Sequence, residues 1–318
     1  MTAPTPTPAA PTSPATITGD DIAKRWGRTI ALDGATFRIG HGVTGLLGAN
    51  GAGKTTVLGM ILGLHRPDRG TLSVLGLDPT HAGPEVRARV GYAPEHHQLP
   101  PDVKAHDLVR HVAEIHGLPK RAAITRASDA LWQVGLGEER FRAIGTMSTG
   151  QRQRVKLAQA IAHDPALVLL DEPTDGLDPV QRDDMLALIR RVGAEFGIDV
   201  VLSSHLLEEV ERTCDAVVIL GEGRVLASGP LDDLRGAGSG LQLELDDRAD
   251  PVAHRLQAAG CTVVAEGTRL VVTSPAGLDA DALADLVRDT IAAEGASLRR
   301  LTSRRARLED VFLSEVGA

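Results

Sequence analysis

The sequence predicts an α/β fold in which helices cover both faces of a parallel β-sheet. Residues 167–170 and 200–202 form continuous apolar runs, which are typical of parallel strands buried on both sides. From about residue 20 to residue 235, apolar segments alternate with turns that contain glycine or proline, as expected of an α/β domain. A further apolar run at residues 216–220 ends at a glycine-containing turn and fits the same sheet.

The two ends of the chain differ in composition from this central region. Residues 1–18 carry no charge and are rich in proline and threonine, which favours a disordered tail over a secretory signal. Residues 241–245 alternate in polarity as a half-buried strand does. The expected organisation is therefore a disordered tail at 1–18, an α/β domain at 19–235 with a helical insert at about 96–162, a linker at 236–240, and a small α+β accessory domain at 241–318.

Composition narrows the class of protein. A chain of 318 residues with 42% hydrophobic and 24% charged residues has the composition of a globular protein of about two domains. The net charge of −8 argues against a nucleic-acid partner, because such proteins are more often basic. The two cysteines follow no metal-binding spacing, which favours a reduced, cytosolic protein. No apolar run reaches the roughly 18–20 residues that span a bilayer, so we expect the chain not to cross a membrane by itself.

Residues 48–55, with the sequence GANGAGKT, match the phosphate-loop pattern G-x-x-x-x-G-K-[ST]. An apolar strand at 43–47 precedes the loop and an apolar helix at 56–62 follows it, so backbone N–H groups and a helix N-terminus would face the phosphates. This motif predicts a P-loop NTPase (RecA-like) core that binds ATP with Mg²⁺. The expected nucleotide contacts are Gly48, Ala49, Asn50, Gly51, Ala52, Gly53, Lys54, Thr55 and Thr56, with Lys54 on the β- and γ-phosphates and Thr55 on the magnesium ion.

Two acidic residues, Asp171 and Glu172, follow the apolar run at 167–170. Ligands of parallel sheets bind at the carboxyl ends of strands, so both carboxylates are expected at the nucleotide. Asp171 can accept from the magnesium shell, and Glu172 can polarise a water for attack on the γ-phosphate. The alternative is a strand that ends in solvated acids, which the phosphate loop in the same chain makes less favoured.

Residues Ser148, Thr149, Gly150 and Gln151 begin a predicted helix and can be explained in two compatible ways. Ser148 and Gln151 form the S-x-x-Q pattern of a capping box. The same four residues, about twenty before Asp171, resemble the signature motif of ABC transporter ATPases. A capped helix N-terminus also presents free N–H groups and a positive dipole to an anion.

The resemblance covers about residues 20–235 and includes further elements in the order of the family. Trp26 matches the aromatic residue that stacks on adenine, although a core aromatic is the alternative. Asp178 matches the D-loop, and His205 matches the switch histidine beside the γ-phosphate, where a lone histidine would otherwise be structural or solvated. His96 and His97 match no motif and are expected in a solvated loop.

Two residues depart from the usual pattern of the family. Glu95 lies where the Q-loop glutamine is usual and can still ligate Mg²⁺; exporter-type members similar to this chain often have glutamate there. Thr149 replaces the first glycine of the usual Ser-Gly-Gly-Gln, while Ser148 and Gly150 remain.

The resemblance implies a head-to-tail homodimer in which each ATP lies between one copy's phosphate loop and the other copy's signature motif. Ser148 and Gly150 would contact the γ-phosphate held by the partner copy's Lys54, while Glu172 would orient the water and His205 would hold the phosphate. A cassette without a membrane span further implies a separate membrane permease as partner, with the ATPase at the cytoplasmic face of the cell membrane.

The C-terminal segment suggests a branch of the family. Residues 307–313, RLEDVFL, after an α+β appendage are similar to the ATPases of type-2 multidrug and antibiotic-resistance exporters. The arginines nearby (Arg299, Arg300, Arg304, Arg305 and Arg307) fit either a solvated strand face or contact with anionic lipid headgroups.

Two other functions remain open at this point. One is a soluble ABC ATPase that acts on ribosomes or DNA, against which the single cassette, the acidic composition and the absence of sustained heptads argue. The other is a nucleotide-gated binding module with little hydrolysis, against which Glu172 and His205 argue.

Overall fold

The computed structural model describes residues 15–96, 98–237, 240–273 and 280–304, and the chain divides into two compact units at Gly229/Pro230. The first unit contains nine strands and seven α-helices within the described residues. Its strands are β1 (Ile17–Trp26), β2 (Thr29–Ile39), β3 (Val43–Leu47), β4 (Arg69–Val74), β5 (Val90–Ala93), β6 (Leu167–Asp171), β7 (Asp199–Ser204), β8 (Ala216–Gly221) and β9 (Arg224–Pro230). Its helices are α1 (Lys54–Ile61), α2 (Gly83–Arg89), α3 (Ala105–Ile115), α4 (Lys120–Gln133), α5 (Thr149–Ile161), α6 (Pro179–Phe196) and α7 (Leu207–Thr213).

The largest sheet has the strand order β5-β6-β7-β3-β8-β9, and its pairs from β5 to β8 are parallel. Strands β3, β6 and β7 are buried at every position, which explains their continuous apolar runs and confirms the predicted α/β fold. The register pairs Leu47 with Ser204 and Asp171 with Ser203. The carboxyl ends of the three central strands therefore meet at one edge of the sheet.

A second sheet of the first unit, with the order β2-β1-β4, is antiparallel and was not predicted. Its first strand begins at Ile17, so the expected disordered tail at 1–18 is wrong at its end. Ile17 is fully buried, and the hydroxyl of Thr16 donates a 2.6 Å hydrogen bond to Asp199 at the start of β7. These residues belong to the folded unit because an apolar side chain and a buried polar pair hold them there.

The helical insert lies between β5 and β6, as predicted. It consists of α3, α4 and α5, with short 3-10 helices at Glu138–Phe141 and Ile144–Thr146. Ser148 is the N-cap of α5: its hydroxyl accepts from the Gln151 N–H, and the Gln151 side chain accepts from the Ser148 N–H. The capping box predicted from the sequence is therefore confirmed.

The second unit is an α+β domain, as predicted. It contains α8 (Leu231–Ala237), β10 (Gly240–Leu245), α9 (Ala249–Ala258), β11 (Thr262–Glu266), β12 (Arg269–Thr273), α10 (Ala280–Glu294) and β13 (Leu298–Arg304). The sheet has the order β11-β12-β10-β13 with antiparallel pairs. Its own core joins leucines of the sheet, such as Leu243 and Leu270, to Val252 of α9 and Val287 of α10.

The linker expected at 236–240 overlaps regular structure at both ends. Helix α8 continues to Ala237, and β10 begins at Gly240. Gly240 is required by packing, since a Cβ atom there would lie 2.3 Å from the Val272 carbonyl oxygen.

Residues 305–318, which include the exporter-like segment 307–313, lie outside the described residues. On β13, Arg299 forms an ion pair with Asp246. Among the helices described, none has both the length and the apolar character needed to cross a bilayer.

Candidate functional site

The phosphate loop joins the carboxyl end of β3 to the first turn of α1, as its sequence predicts. Gly53 has φ 106° and is the N-cap of α1, with no side-chain cap on the first N–H groups. A Cβ atom on Gly53 would lie 2.6 Å from the Ala31 carbonyl oxygen, and one on Gly48 would lie 2.6 Å from that of Leu220. Glycine is therefore needed at both positions, and the uncapped helix N-terminus is suited to an anion.

Lys54 extends from this turn into the buried centre of the site. Its ammonium donates to the carbonyl oxygens of Gly48 at 2.7 Å and Ala49 at 3.4 Å. It also lies 3.2 Å from the Oε1 atom of Glu172. The side chains of Lys54 and Glu172 are both nearly fully buried. Bulk water therefore does not solvate either charge, and each depends on its partner in the protein.

Asp171 ends β6 directly beside the phosphate loop. Its Oδ1 atom accepts a 2.6 Å hydrogen bond from Ser203, and its Oδ2 atom lies 3.5 Å from the Thr55 hydroxyl. A carboxylate and a hydroxyl are hard oxygen donors of the kind that Mg²⁺ takes, with phosphates and water completing its shell. Within the described part of the chain, no cluster of three or more His, Cys, Asp or Glu side chains could hold a metal.

Glu172 follows in a strained conformation. Its φ is 45°, in the left-handed region that residues other than glycine seldom adopt. The Nδ1–H group of His205 donates to its Oε2 atom at 2.9 Å, while Lys54 contacts Oε1. A carboxylate held between a lysine and a histidine is fixed in direction and can act on a nearby water.

A cavity of about 460 Å³ lies over the loop. Trp26 forms one wall of it and is 45% exposed, so it is not a core residue. Its ring lies edge-on to His65, with centroids 4.9 Å apart, and its Nε1–H donates to the Thr56 hydroxyl at 3.4 Å. The cavity is lined by Trp26, Thr29, Ala31, Ala49, Asn50, Gly51, Gly53, Lys54, Thr55, Thr56, Glu95, His96, Asp171 and Glu172.

This lining includes most of the nucleotide and metal ligands predicted from the sequence. Gly48 and Ala52 do not line the cavity, although the carbonyl of Gly48 binds Lys54. Glu95 does line it and lies 3.2 Å from His96. His97 is outside the described residues.

The signature residues Ser148, Thr149, Gly150 and Gln151 do not line this cavity. They lie at the start of α5, beside the start of α6: a Cβ atom on Gly150 would lie 2.9 Å from the Gln181 side chain. Asp178 is the N-cap of α6 and accepts from the Gln181 N–H at 2.9 Å. Within one chain, therefore, the signature motif lies outside the cavity that the phosphate loop lines.

Sequence reasoning missed Ser203 and His65. Ser203 follows the apolar run of β7 and, with Ser204, ends the strand in buried hydroxyls, and these polar residues directly after an apolar run are the signal in the sequence. His65 contacts Trp26 only because the chain turns back after α1, and no local pattern indicates it.

The fold and the phosphate-loop site define a P-loop ATPase, and comparison with known proteins identifies its family. The family model described as ABC transporter matches residues 32–175. The daunorubicin resistance ATP-binding protein DrrA3 of Streptomyces coeruleorubidus is 32% identical over 95% of this chain and 96% of its own. The Nod factor export ATP-binding protein I of Burkholderia orbicola is 33% identical over 93% and 95% of the two chains. The protein therefore belongs to the ABC transporter family as an ATP-binding subunit, and it is an ATPase.

One relative that matches over about two thirds of its length and one solved structure agree with this assignment, and a second solved structure has the same fold. The linearmycin resistance ATP-binding protein LnrL of Bacillus subtilis is 35% identical over 68% of this chain and 69% of its own. A structure described as the ATP binding subunit of an ABC transporter has a TM-score of 0.61 and 31% identity over 69% of this chain and 92% of its own. The ATP-binding cassette MJ0796, solved as a dimer with ADP and Pi, shares the fold, with a TM-score of 0.59 and 24% identity over 68% and 98% of the chains.

Proposed function

We propose that this ATPase powers a separate membrane permease that exports a drug-like, lipid-like or antibiotic substrate. The relatives named above are ATP-binding proteins of daunorubicin resistance, Nod factor export and linearmycin resistance, and this similarity supports the direction and the class of cargo. The ATPase would then act at the cytoplasmic face of the membrane that holds the permease.

The observation that carries the catalytic assignment is the contact of the nearly buried Glu172 carboxylate with both the buried Lys54 and the partly exposed His205. In the working enzyme Lys54 would bind the β- and γ-phosphates, Glu172 would orient the attacking water, and His205 would hold the γ-phosphate and Glu172 together. Thr55, Asp171 and Glu95 would hold Mg²⁺, which neutralises phosphate charge when bound. Trp26 would stack on the adenine ring.

The separation of the signature motif from the cavity supports a composite site. In a head-to-tail homodimer, Ser148 and Gly150 of one copy would contact the γ-phosphate in the other copy's phosphate loop, with Thr149, Gln151 and Asp178 nearby. The capped start of α5 suits this role because its dipole favours negative charge.

A groove between β5 and the helical insert is the surface we propose for the permease. It measures about 200 Å³, and its lining includes Leu64, Tyr92, Val112 and His116. Leu64 is largely exposed at this groove. The chain passes from the groove at Tyr92 to the nucleotide cavity at Glu95 within three residues, so a segment bound here would contact the strand that leads to the nucleotide.

The test of the catalytic assignment is the Glu172→Gln variant. It keeps the size of the side chain and removes the base, so hydrolysis should fall by about a hundredfold or more, while ATP should accumulate in a stable dimer detectable by size-exclusion chromatography. Glu85→Gln, on the exposed face of α2, is the matched control and should hydrolyse ATP normally. Near-normal turnover of Glu172→Gln would exclude the proposed role.

A further inference from the structure

A single buried hydroxyl, that of Ser203, joins the two acidic residues at the end of β6. Its O–H donates to the Oδ1 atom of Asp171 at 2.6 Å, and its oxygen accepts the N–H of Glu172 at 3.0 Å. Ser203 has 0% exposure, so no water competes for either bond. One side chain thus bridges the carboxylate of the first acid and the backbone of the second.

The bond to Asp171 determines which of its two oxygens is available. Oδ1 is committed to Ser203, and Oδ2 points to the Thr55 hydroxyl, 3.5 Å away. Because a second-layer hydrogen bond of this kind fixes the orientation of a ligating group, the Ser203 hydroxyl keeps Oδ2 directed at the place proposed for the metal.

The second hydrogen bond of Ser203 holds the backbone of Glu172. A residue other than glycine at φ 45° is in an unfavourable conformation that persists only where its surroundings hold it. The Ser203 oxygen holds the N–H of this residue, and the conformation so maintained aims the side chain at Lys54 and His205.

We propose that Ser203 is a positioning residue that sets the geometry of the metal-binding and water-orienting carboxylates together. The proposal rests on the roles proposed above for Asp171 and Glu172. Ser203 itself would not contact ATP, because it does not line the cavity.

The experiment compares Ser203→Ala with a matched loss of a buried hydroxyl. Thr44→Val is the control, since Thr44 lies on the neighbouring strand β3, is 1% exposed, and its hydroxyl has no hydrogen-bond partner among the described residues. Ser203→Ala should lower kcat by roughly 10–100-fold, whereas Thr44→Val should leave it unchanged. Ser203→Thr keeps the hydroxyl on a side chain that suits a strand and should restore most of the rate.

Two measurements do not depend on turnover. In the presence of ADP, Mn²⁺ binding followed by electron paramagnetic resonance should weaken by roughly tenfold in Ser203→Ala. Amide hydrogen exchange at Glu172 should become faster in the same variant, because its N–H group loses its acceptor. Circular dichroism and thermal unfolding establish that each variant is folded at the assay temperature.

The outcomes separate the two proposals. Wild-type Mn²⁺ affinity and wild-type exchange at Glu172 in Ser203→Ala would overturn the positioning role, as would an equal loss of rate in Thr44→Val. If Glu172→Gln is inactive while Ser203→Ala behaves as wild type, only the role of Ser203 fails. If Glu172→Gln hydrolyses ATP normally, the proposed catalytic assignment fails, and the role of Ser203, which rests on it, fails with it.

Discussion

The ammonium of Lys54 and the carboxylate of Glu172 form a buried ion pair across the floor of the nucleotide cavity, with 3.2 Å between Nζ and Oε1. In the proposed mechanism the same lysine binds phosphate and the same glutamate orients water. Nucleotide phosphates carry more negative charge than one carboxylate, so they compete for Lys54. We infer that nucleotide binding releases Glu172 from this ion pair and frees it to hold water.

Replacing Lys54 by methionine should have two separable effects. ATP affinity, measured by isothermal titration calorimetry, should fall by about tenfold or more because the phosphates lose a buried cation. Without nucleotide, the free energy of unfolding should fall by about 1–3 kcal/mol, since Glu172 loses a partner in a buried place. Adding Glu172→Gln should recover part of that stability; no recovery would show that the ion pair does not stabilise the nucleotide-free protein.

Replacing Trp26 by alanine should weaken ATP binding by about tenfold, in line with roughly 1–3 kcal/mol for stacking of a base on an aromatic ring. Binding of inorganic tripolyphosphate should stay unchanged, because it has no base to stack. Trp132→Phe, which alters the other tryptophan at an exposed position on α4, is the control. An equal loss for ATP and tripolyphosphate would indicate instead that Trp26 supports the loop.

Mixing two inactive variants should restore activity if the site is composite. Lys54→Met damages the phosphate loop, and Ser148→Arg places a bulky cation at the start of α5. Each variant alone should be inactive, whereas a mixture forms head-to-tail dimers that contain one intact site. Steady-state ATP hydrolysis of the mixture measures this recovery. A mixture as inactive as its parts would refute sharing of the site between copies.

Acid should destabilise the first unit through His163. Burial, and secondarily charge repulsion from His116, whose ring stacks on it with centroids 3.8 Å apart, lowers the pKa of His163 from 6.5 to about 4. Between these values the unfolded chain binds a proton that the folded chain does not, so stability falls as the pH decreases from 6.5 towards 4. The contribution lost between pH 7.5 and pH 5 is about 2 kcal/mol.

Urea unfolding of His163→Leu at the two pH values tests this expectation. The variant cannot titrate at this position, so its stability should change less between pH 7.5 and pH 5 than that of the wild type. His111→Gln, at an exposed position of α3, should keep the wild-type dependence. An unchanged dependence in His163→Leu would contradict the prediction.

Local sequence patterns were sufficient for some parts of the fold and insufficient for others. Strands β6 and β7 were predictable because each is buried on both faces and needs an unbroken apolar run. The start of β1 was not predictable from the sequence, because Ile17 follows a proline-rich segment and is buried by strands that lie far away in sequence. The linker expected at 236–240 was wrong at its ends, where helix α8 and strand β10 lie. The glycine at 240 indicated flexibility, but it is required because the backbone of Val272 approaches it closely.

The sequence by itself determined the phosphate loop, the acidic pair after β6, the capped start of α5 and the α/β class, since each depends on residues close together in the chain. Only the tertiary structure decided that Lys54 pairs with Glu172, that His65 contacts Trp26, and that Ser203 bridges Asp171 and Glu172. These contacts join segments far apart in sequence. Those of Lys54 and Ser203 exist because the parallel register brings the ends of β3, β6 and β7 to one edge of the sheet, whereas His65 meets Trp26 where the segment after α1 lies beside the end of β1.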